Sequence, residues 1–324
     1  DASPETRSLT TGTTSGGHIT FGAPRSADRS ISSFDVKHAV SSTVIFDLPF
    51  GRGRKLLASA NRLVDTAIGG WTLTSLFRLQ GGYPFLPTIV EGNRLSSGIT
   101  HTIRPDLVPG VPLKNPLWSR DCPVGTLCEP YVNPAAFMRP AKGSLGTAPR
   151  TLDIRGPMQR FFDISIQKDF KLGGDGKRKV QFRVDMNNAL NSPIFRTVSG
   201  NGANINDFMG LPDETPISTA DYDAWVAAAA GRPARATAEG AALFAKVQSF
   251  VTGARLPSGA IPLDYYAGIR LPQGFATRDA NTFDLNTLEG FKLYRLRRAY
   301  QTGFGTLREL GLPRYIQFGL KIYF

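Results

Sequence analysis

The chain ends in PRYIQFGLKIYF (Pro313–Phe324), and this segment decides the fold. Apolar side chains occupy every second position: Ile316, Phe318, Leu320, Ile322 and Phe324. Polar, small or amphipathic residues stand between them. Because successive side chains of a strand point to opposite faces, the pattern predicts a β-strand with one wholly apolar face. Such a face either packs on a second sheet in a soluble sandwich or contacts lipid in a membrane β-barrel.

Four further segments alternate in the same way, so the sequence predicts five strands in all. They are VKHAVSSTVIFDLPF (36–50), WTLTSLFRLQGG (71–82), RFFDISIQKDF (160–170) and VQFRVDMNNAL (180–190). The turn between the last two, KLGGDGKRK (171–179), contains an Asp-Gly pair among several glycines, which predicts a β-hairpin. A short strand at His18–Phe21 is also expected.

Three features favour the membrane barrel over the soluble sandwich. Arg314–Phe324 and Val180–Leu190 each offer 11 residues, whereas soluble strands centre near about 5–6 and tilted transmembrane strands need roughly 9–11. Charged residues lie in the middle of the polar faces, where a dry core would exclude them: Arg78, Arg183, Asp185 and Lys321. Aromatic residues lie at strand ends, as in the interfacial girdles of barrels: Phe46, Phe50, Trp71, Phe170, Tyr323 and Phe324.

The composition of the 324 residues restricts the other classes. A hydrophobic content of 41% is too high for a wholly disordered chain. No run of about 18 apolar residues, as a spanning helix needs, occurs, and the N-terminal residues lack an apolar signal core, which is typical of a mature protein or a fragment. The net charge of +12 comes from basic residues spread over turns and loops, not stacked with aromatic residues. We therefore expect no nucleic-acid partner, and contact with lipopolysaccharide phosphates instead.

These patterns predict an all-β protein, a portion of an antiparallel transmembrane β-barrel with long extracellular loops and a small helical insert. Barrels keep short turns in the periplasm and long loops outside. The expected segments are a loop with a partial strand (1–34), barrel strands with a periplasmic link (35–85), an extracellular loop with the Cys pair (86–160), a barrel hairpin (161–190), a long extracellular insertion with helices near 220–251 (191–312) and the terminal barrel strand (313–324). The basic stretch FKLYRLRRAY (291–300) fits both the helical and the strand period and stays undecided.

The residues that commonly carry chemistry are sparse. Cys122 and Cys128 are a disulfide candidate, since an oxidising compartment favours their pairing. The three histidines lie in separate segments, so no metal site is expected. The glycine-rich turn departs from the phosphate-loop pattern at Lys171, and neither GxSxG nor HExxH occurs. We expect no catalytic residue, no cofactor and no enzyme activity.

The combined segments resemble a known family. The motifs are FDVKHAVSSTVIFDLPFGRGRK (34–55), GGWTLTSLFRLQGGYPF (69–85), YVNPAAFMRPAKGSLGTAPRTLDIRGPMQRFFDISIQKDF (131–170), RKVQFRVDMNNALNSPIF (178–195) and PRYIQFGLKIYF (313–324). As a set they resemble the C-terminal end of TonB-dependent outer-membrane receptors of the Oar-like group, whose members carry a carboxypeptidase-regulatory-like domain at the N-terminus. The resemblance covers about residues 34–200 and 290–324.

The resemblance implies a barrel of about 22 strands, closed by an N-terminal plug, that imports nutrients with energy from TonB. This sequence has neither plug nor TonB box, and five strands cannot close a barrel in lipid. The expectation is a C-terminal piece of a longer polypeptide in the Gram-negative outer membrane, with the loops outside, contacting lipid, an unknown ligand and the missing barrel and plug.

In this reading the apolar face of the terminal strand is the membrane-insertion signal that the barrel-assembly machinery recognises. Two alternatives stay open. A cleaved structural or interaction module at the cell surface would assemble with copies of itself or with the rest of the barrel. A soluble β-sandwich that binds carbohydrate is the other.

Overall fold

A computed structural model of the chain describes residues 29–32, 34–85, 87–91, 101–123, 126–144, 146–172, 178–197, 203–204, 214–262, 264–300, 305–309 and 313–324. The chain divides into two compact units. The sheet unit comprises Val36–Tyr83, Gly156–Arg196 and Glu309–Phe324, and the insertion unit comprises Asp1–Asp35, Pro84–Arg155 and Thr197–Arg308. The strand expected at His18–Phe21 and residues 173–177 of the predicted hairpin turn lie outside the described residues.

The five predicted strands form one antiparallel sheet in the sheet unit. They are β1 (Ala39–Asp47), β2 (Trp71–Gln80), β3 (Gln159–Leu172), β4 (Arg178–Asn187) and β5 (Tyr315–Tyr323). Their order in the sheet follows the chain, β1-β2-β3-β4-β5, and every neighbouring pair is antiparallel. The predicted hairpin is confirmed, with Val184 of β4 opposite Ile166 of β3. This consecutive pairing is typical of an up-and-down β-barrel wall.

The last two strands are shorter than predicted. β4 has 10 residues and β5 has 9, where the sequence offered 11 in each. β4 stops before Asn188, which adopts the left-handed conformation (φ +47°) that Asn tolerates better than most residues. The Asn188 N–H donates to Asp163 Oδ1 at 2.8 Å. Both lengths remain within the roughly 9–11 residues of a tilted transmembrane strand.

The link between β1 and β2 (residues 48–70) folds back on itself. It contains a short helix, α1 (Arg62–Ile68). This helix begins after Asn61, whose side chain accepts a hydrogen bond from the Val64 N–H. Gly51, at φ +119°, lies so close to the second arm of the link that a Cβ on it would meet the Gly69 Cα at 2.8 Å. Glycine at this position lets the two arms of the link meet.

Short strands and three helices make up the insertion unit. Pro84–Phe85 pairs with Leu152–Arg155, Asp106–Leu107 with Phe137–Met138, and Pro87–Glu91 with both His101–Ile103 and Ala203–Asn204. Phe195–Thr197 also pairs with Leu307–Glu309, and each of these two strands contains a boundary between the units. The helices are α2 (Thr219–Ala227), α3 (Ala238–Thr252) and α4 (Leu288–Arg298), and 3-10 turns lie at Pro134–Ala136 and Ala280–Thr282.

Side-chain caps define where these helices begin. Ser218, Thr237 and Thr287 each accept a hydrogen bond from the backbone N–H three residues further on, at 3.0–3.1 Å. The stretch 291–300, undecided from its sequence, is helical through Arg298.

The insertion unit has a hydrophobic core of its own. On α3 the buried side chains Leu243, Val247 and Val251 recur every fourth residue and form one apolar face. Aromatic residues from several segments join them with almost no exposed surface: Phe137, Tyr222, Phe275, Phe291 and Tyr294. The core therefore gathers residues from both long connections of the chain.

The predicted all-β class is therefore correct only in part, because the described residues form antiparallel sheets and four α-helices, one of them in the sheet unit. Besides α2 and α3, which lie near the expected 220–251, α4 packs in the core, and α1 adds a fourth helix in the link. The sequences of the two long connections show no sustained hydrophobic period, because their apolar residues pack in an irregular core and not on one face of a regular element.

Gly240→Ala tests this core. Alanine normally stabilises a helix by roughly 0.5–1 kcal/mol over glycine, yet a Cβ on Gly240 would overlap the carbonyl oxygen of Ala234. We expect the variant to lower the free energy of unfolding by about 1–3 kcal/mol. Urea unfolding followed by tryptophan fluorescence measures this, because Trp118 and Trp225 both lie in the insertion unit.

Ser249→Ala is the matched control, at an exposed position of the same helix. Its expected change is within about 0.5 kcal/mol. A Gly240→Ala protein as stable as the parent would show that the close approach is absent.

Candidate membrane-contact surface

One face of the five-stranded sheet is apolar from edge to edge. A single row of directly paired residues crosses all five strands and contains only apolar side chains: Phe46, Leu73, Ile166, Val184 and Phe318. The next row on this face, displaced by two residues, holds one Ser among apolar side chains: Val44, Ser75, Ile164, Met186 and Ile316. Register alone therefore brings the alternating residues of five separate segments onto one surface.

The five residues of the predicted insertion signal lie on exposed surface. Ile316, Leu320 and Ile322 are each more than half exposed, Phe318 is 70% exposed and Phe324 is 96% exposed. Among the described residues, none of these five belongs to the buried hydrophobic core. A dry sandwich core would bury these side chains, so their exposure agrees with contact between this face and lipid.

The opposite face of the sheet is polar and carries hydrogen bonds between strands. Thr72 donates to the Asp47 carboxylate at 2.7 Å, and Lys179 donates to Asp169 at 2.7 Å. Within β4, Arg183 donates to Asp185 at 2.7 Å. Exposed pairs of this kind contribute little to the stability of a fold. Their importance is that a face crossed by charges requires water, as in the interior of a barrel.

The two ends of the sheet carry different connections. Trp71 pairs with Lys168, and Val180 pairs with both Phe170 and Ile322. The link, the C-terminal end of β3, the N-terminal end of β4 and the chain end at Phe324 therefore share one end of the sheet. The two long connections leave from the other end. The predicted aromatic residues Trp71, Phe170 and Tyr323 lie at the end with the short connections.

A buried carboxylate joins the two long connections within the insertion unit. Glu129 accepts hydrogen bonds from Asn115 at 2.8 Å and from both the backbone N–H and the hydroxyl of Thr277, at 2.9 and 2.6 Å. Gln273 donates to Asn115 at 3.0 Å. Several donors on one carboxylate compensate for its loss of water. Sequence reasoning missed this network, because an isolated Glu in a proline-rich stretch carries no spacing signal.

The insertion unit also holds ionisable groups whose pKa values are shifted by burial. Burial raises the pKa of Tyr265 to about 12, and it lowers the pKa of Arg139 to about 10. Lys292 lies over the Tyr265 ring and donates to the Tyr265 carbonyl oxygen, and burial lowers its pKa too. Tyr265 itself donates to the Phe250 carbonyl oxygen at 2.9 Å. These contacts hold the core of the unit together.

A cavity of about 540 Å³ opens beside α3 in the same unit. Side chains of both charges and one aromatic ring are among those that line it: Trp225, Arg232, Glu239, Lys246 and Asp284. Arg232 lies over the Trp225 ring, 4.0 Å from its centroid, and donates to backbone carbonyl oxygens of Trp225 and Asn281. The guanidinium therefore fixes the wall of the cavity.

The predicted disulfide between Cys122 and Cys128 is confirmed. Among the described residues, no group of three or more His, Cys, Asp or Glu side chains is arranged to hold a metal ion. No helix in the described part of the chain combines the length and the apolar character that crossing a membrane requires.

Comparison with known proteins agrees with the division of the sheet into two faces. A family model described as an outer membrane beta barrel domain matches residues 5–215, about two thirds of the chain. No curated protein and no solved structure matches the chain. The match includes β1 to β4 and the first long connection, and it ends before α2. The chain therefore belongs to the family of outer membrane β-barrel domains, and its place is the outer membrane.

Proposed function

We propose that the protein is the C-terminal barrel portion of a TonB-dependent receptor that takes up nutrients across the outer membrane. The observation that carries the proposal is the sheet of five consecutive antiparallel strands with one apolar and one charged face. The resemblance of its strand motifs to Oar-like receptors supplies the finer assignment. In this proposal no residue is catalytic, no cofactor is needed, and energy comes from TonB.

The long connections support a receptor over a simple pore. In the proposed orientation the link and Phe324 face the periplasm, and the insertion unit lies outside the cell, where it contacts ligand and lipopolysaccharide. A folded body with its own core provides a rigid surface for binding, and rigid surfaces bind with less loss of entropy than mobile loops. The terminal face with Phe324 serves as the signal for the barrel-assembly machinery.

The sheet edges support the presence of further barrel strands. Among the described strands, none pairs with the outer edge of β1 or of β5. An unpaired edge in hydrocarbon leaves backbone groups without hydrogen bonds, at a cost of several kcal/mol each. The proposal therefore includes additional strands and a plug that complete the barrel.

The same open edges favour a second candidate function. A surface module that assembles through strand edges, with copies of itself or with the rest of the barrel, would also satisfy the backbone groups of β1 and β5. This candidate predicts a stable 35.1 kDa species or a homopolymer of it in outer membranes. The receptor assignment predicts that these strands always belong to a protein that also has a plug.

Phe318→Arg tests the lipid-facing assignment, and Gln317→Arg is its matched control. The two residues are adjacent in the middle of β5 and lie on opposite faces. An arginine facing the bilayer centre costs roughly 2–4 kcal/mol, whereas one facing a wet interior costs little. We therefore expect Phe318→Arg to reduce strongly the amount of heat-modifiable protein in outer membranes, on gels that compare unheated with boiled samples. Equal amounts of the two variants would contradict the assignment.

Binding to TonB tests the receptor assignment. The protein is extracted in mild detergent from the outer membranes of its native cells and mixed with the purified periplasmic domain of TonB. We expect co-purification of the two, because a receptor that draws energy through TonB must contact it. Heat-modifiable protein that never binds TonB, and that migrates as a 35.1 kDa species or its multiples, would favour the surface module.

A further inference from the structure

The link carries exposed positive charge that the sheet unit does not neutralise. Arg52, Arg54, Lys55 and Arg62 are all exposed, and no acidic residue occurs between residues 48 and 64. Within the described residues, no carboxylate forms an ion pair with these four side chains. Asp65, the one acid of the link, accepts a hydrogen bond from the Arg52 N–H at 2.6 Å.

Apolar side chains are exposed in the same link. Leu56, Leu57 and Ile68 are each nearly half exposed, and Leu63 is 83% exposed. Four exposed large apolar residues among four cations, within 17 residues, form the pattern of a segment that lies in a membrane interface.

Two hydrogen bonds hold the link on the apolar side of the sheet. Trp71 Nε1 donates to the Ala67 carbonyl oxygen at 3.0 Å, and Lys168 donates to the Gly69 carbonyl oxygen. Trp71 and Lys168 are directly paired, and their side chains lie on the apolar face. The C-terminal end of α1 is therefore fastened to the rim of the lipid-facing surface, not to the polar face.

Lys168 fits such a rim. Lys168 is only 4% exposed. Its ammonium group lies 5.4 Å from the Trp71 ring centroid and 5.2 Å from the Phe170 ring centroid. A lysine on an apolar face near its edge directs its charge toward the interface, and aromatic rings favour the same depth.

We propose that the link is a lipid anchor: Leu56, Leu57 and Leu63 enter the bilayer beside the sheet, and Arg52, Arg54, Lys55 and Arg62 bind anionic phospholipid headgroups. The inference rests on the orientation proposed above. The link shares its end of the sheet with the short turn and Phe324, which is the periplasmic end of a barrel, and the leaflet there consists of phospholipid. Charge complementarity selects its anionic members.

Quenching of a fluorophore in reconstituted vesicles tests the anchor. The only two cysteines form the disulfide, so a Ser59→Cys substitution gives a single labelling site on the link that leaves the anchor residues intact. The whole protein is placed in phosphatidylcholine vesicles containing phosphatidylglycerol, with a nitroxide near the headgroup end of one lipid or the other. We expect phosphatidylglycerol to quench roughly fivefold more than phosphatidylcholine at equal mole fraction.

Two charge variants separate the link from the general positive charge of the protein. R52Q/R54Q/K55Q/R62Q should lower the preference, which is the ratio of quenching by phosphatidylglycerol to quenching by phosphatidylcholine, to about one. The reason is that the headgroup contacts are lost. R120Q/K142Q/K246Q/R270Q removes the same charge from exposed positions of the insertion unit and should leave the preference unchanged. A preference that is absent in the parent, or equally lowered by both sets, overturns the proposal.

A second label separates failure of the anchor from failure of the barrel assignment. Phe318→Cys lies in the middle of the lipid-facing surface, so it is probed with nitroxides on the acyl chains of the same two lipids, which should quench it equally. If the label at 318 is quenched and the label at 59 is not, the anchor alone is wrong. If neither is quenched, the barrel assignment is wrong too. Displacement of phosphatidylcholine from the label at 59 by lipopolysaccharide, and not by phosphatidylglycerol, also overturns the proposal. TonB binding is measured independently of these outcomes.

Discussion

Hydrocarbon offers no hydrogen bonds to a polypeptide backbone, and this constraint governs the sheet unit. Every N–H and C=O at that depth must pair within the protein, so the chain crosses in consecutive strands, each bonded to its neighbours. The three inner strands satisfy the constraint on both sides, and β1 and β5 satisfy it on one. The composition of the two faces then follows, since lipid selects apolar side chains for one and water permits charges on the other.

The sheet could be predicted from the sequence because alternate residues of each strand face different surroundings, and this alternation has the two-residue period of a strand. Phe318 and Gln317 are neighbours in the chain but face different solvents, so the alternation is visible within each segment taken alone. The ends of the strands were harder to predict. The left-handed conformation of Asn188 ends β4, and no residue pattern around position 188 predicts that conformation. The exposed terminal face was predicted, and its recognition by the assembly machinery stays a prediction.

Apart from the helices expected near 220–251, the fold of the insertion unit could not be predicted, because long-range packing determines it. Phe137, Tyr222 and Phe275 meet in one core although they lie far apart in the chain, and none belongs to a regular pattern. Some glycines are also required by packing contacts that the sequence does not reveal. At Gly290 a Cβ would overlap the carbonyl oxygen of Asp284, a requirement that no helix propensity expresses. The sequence of α4 fits both the helical and the strand period, and the Thr287 cap and the burial of Phe291 are seen only in the structure.

The hydrogen bonds between the two long connections restrict how the surface of the insertion unit can change. Glu129 of the first accepts from Thr277 of the second, Val132 donates to the Gly305 carbonyl oxygen at 3.1 Å, and Gly268 donates to that of Arg139 at 2.9 Å. Neither connection can keep its buried polar groups satisfied without the other, so the two form one folded body. Free variation is then confined to exposed positions and to the wall of the cavity beside α3. In the proposed receptor, the side chains that meet a ligand can then change while the core of the insertion unit is kept.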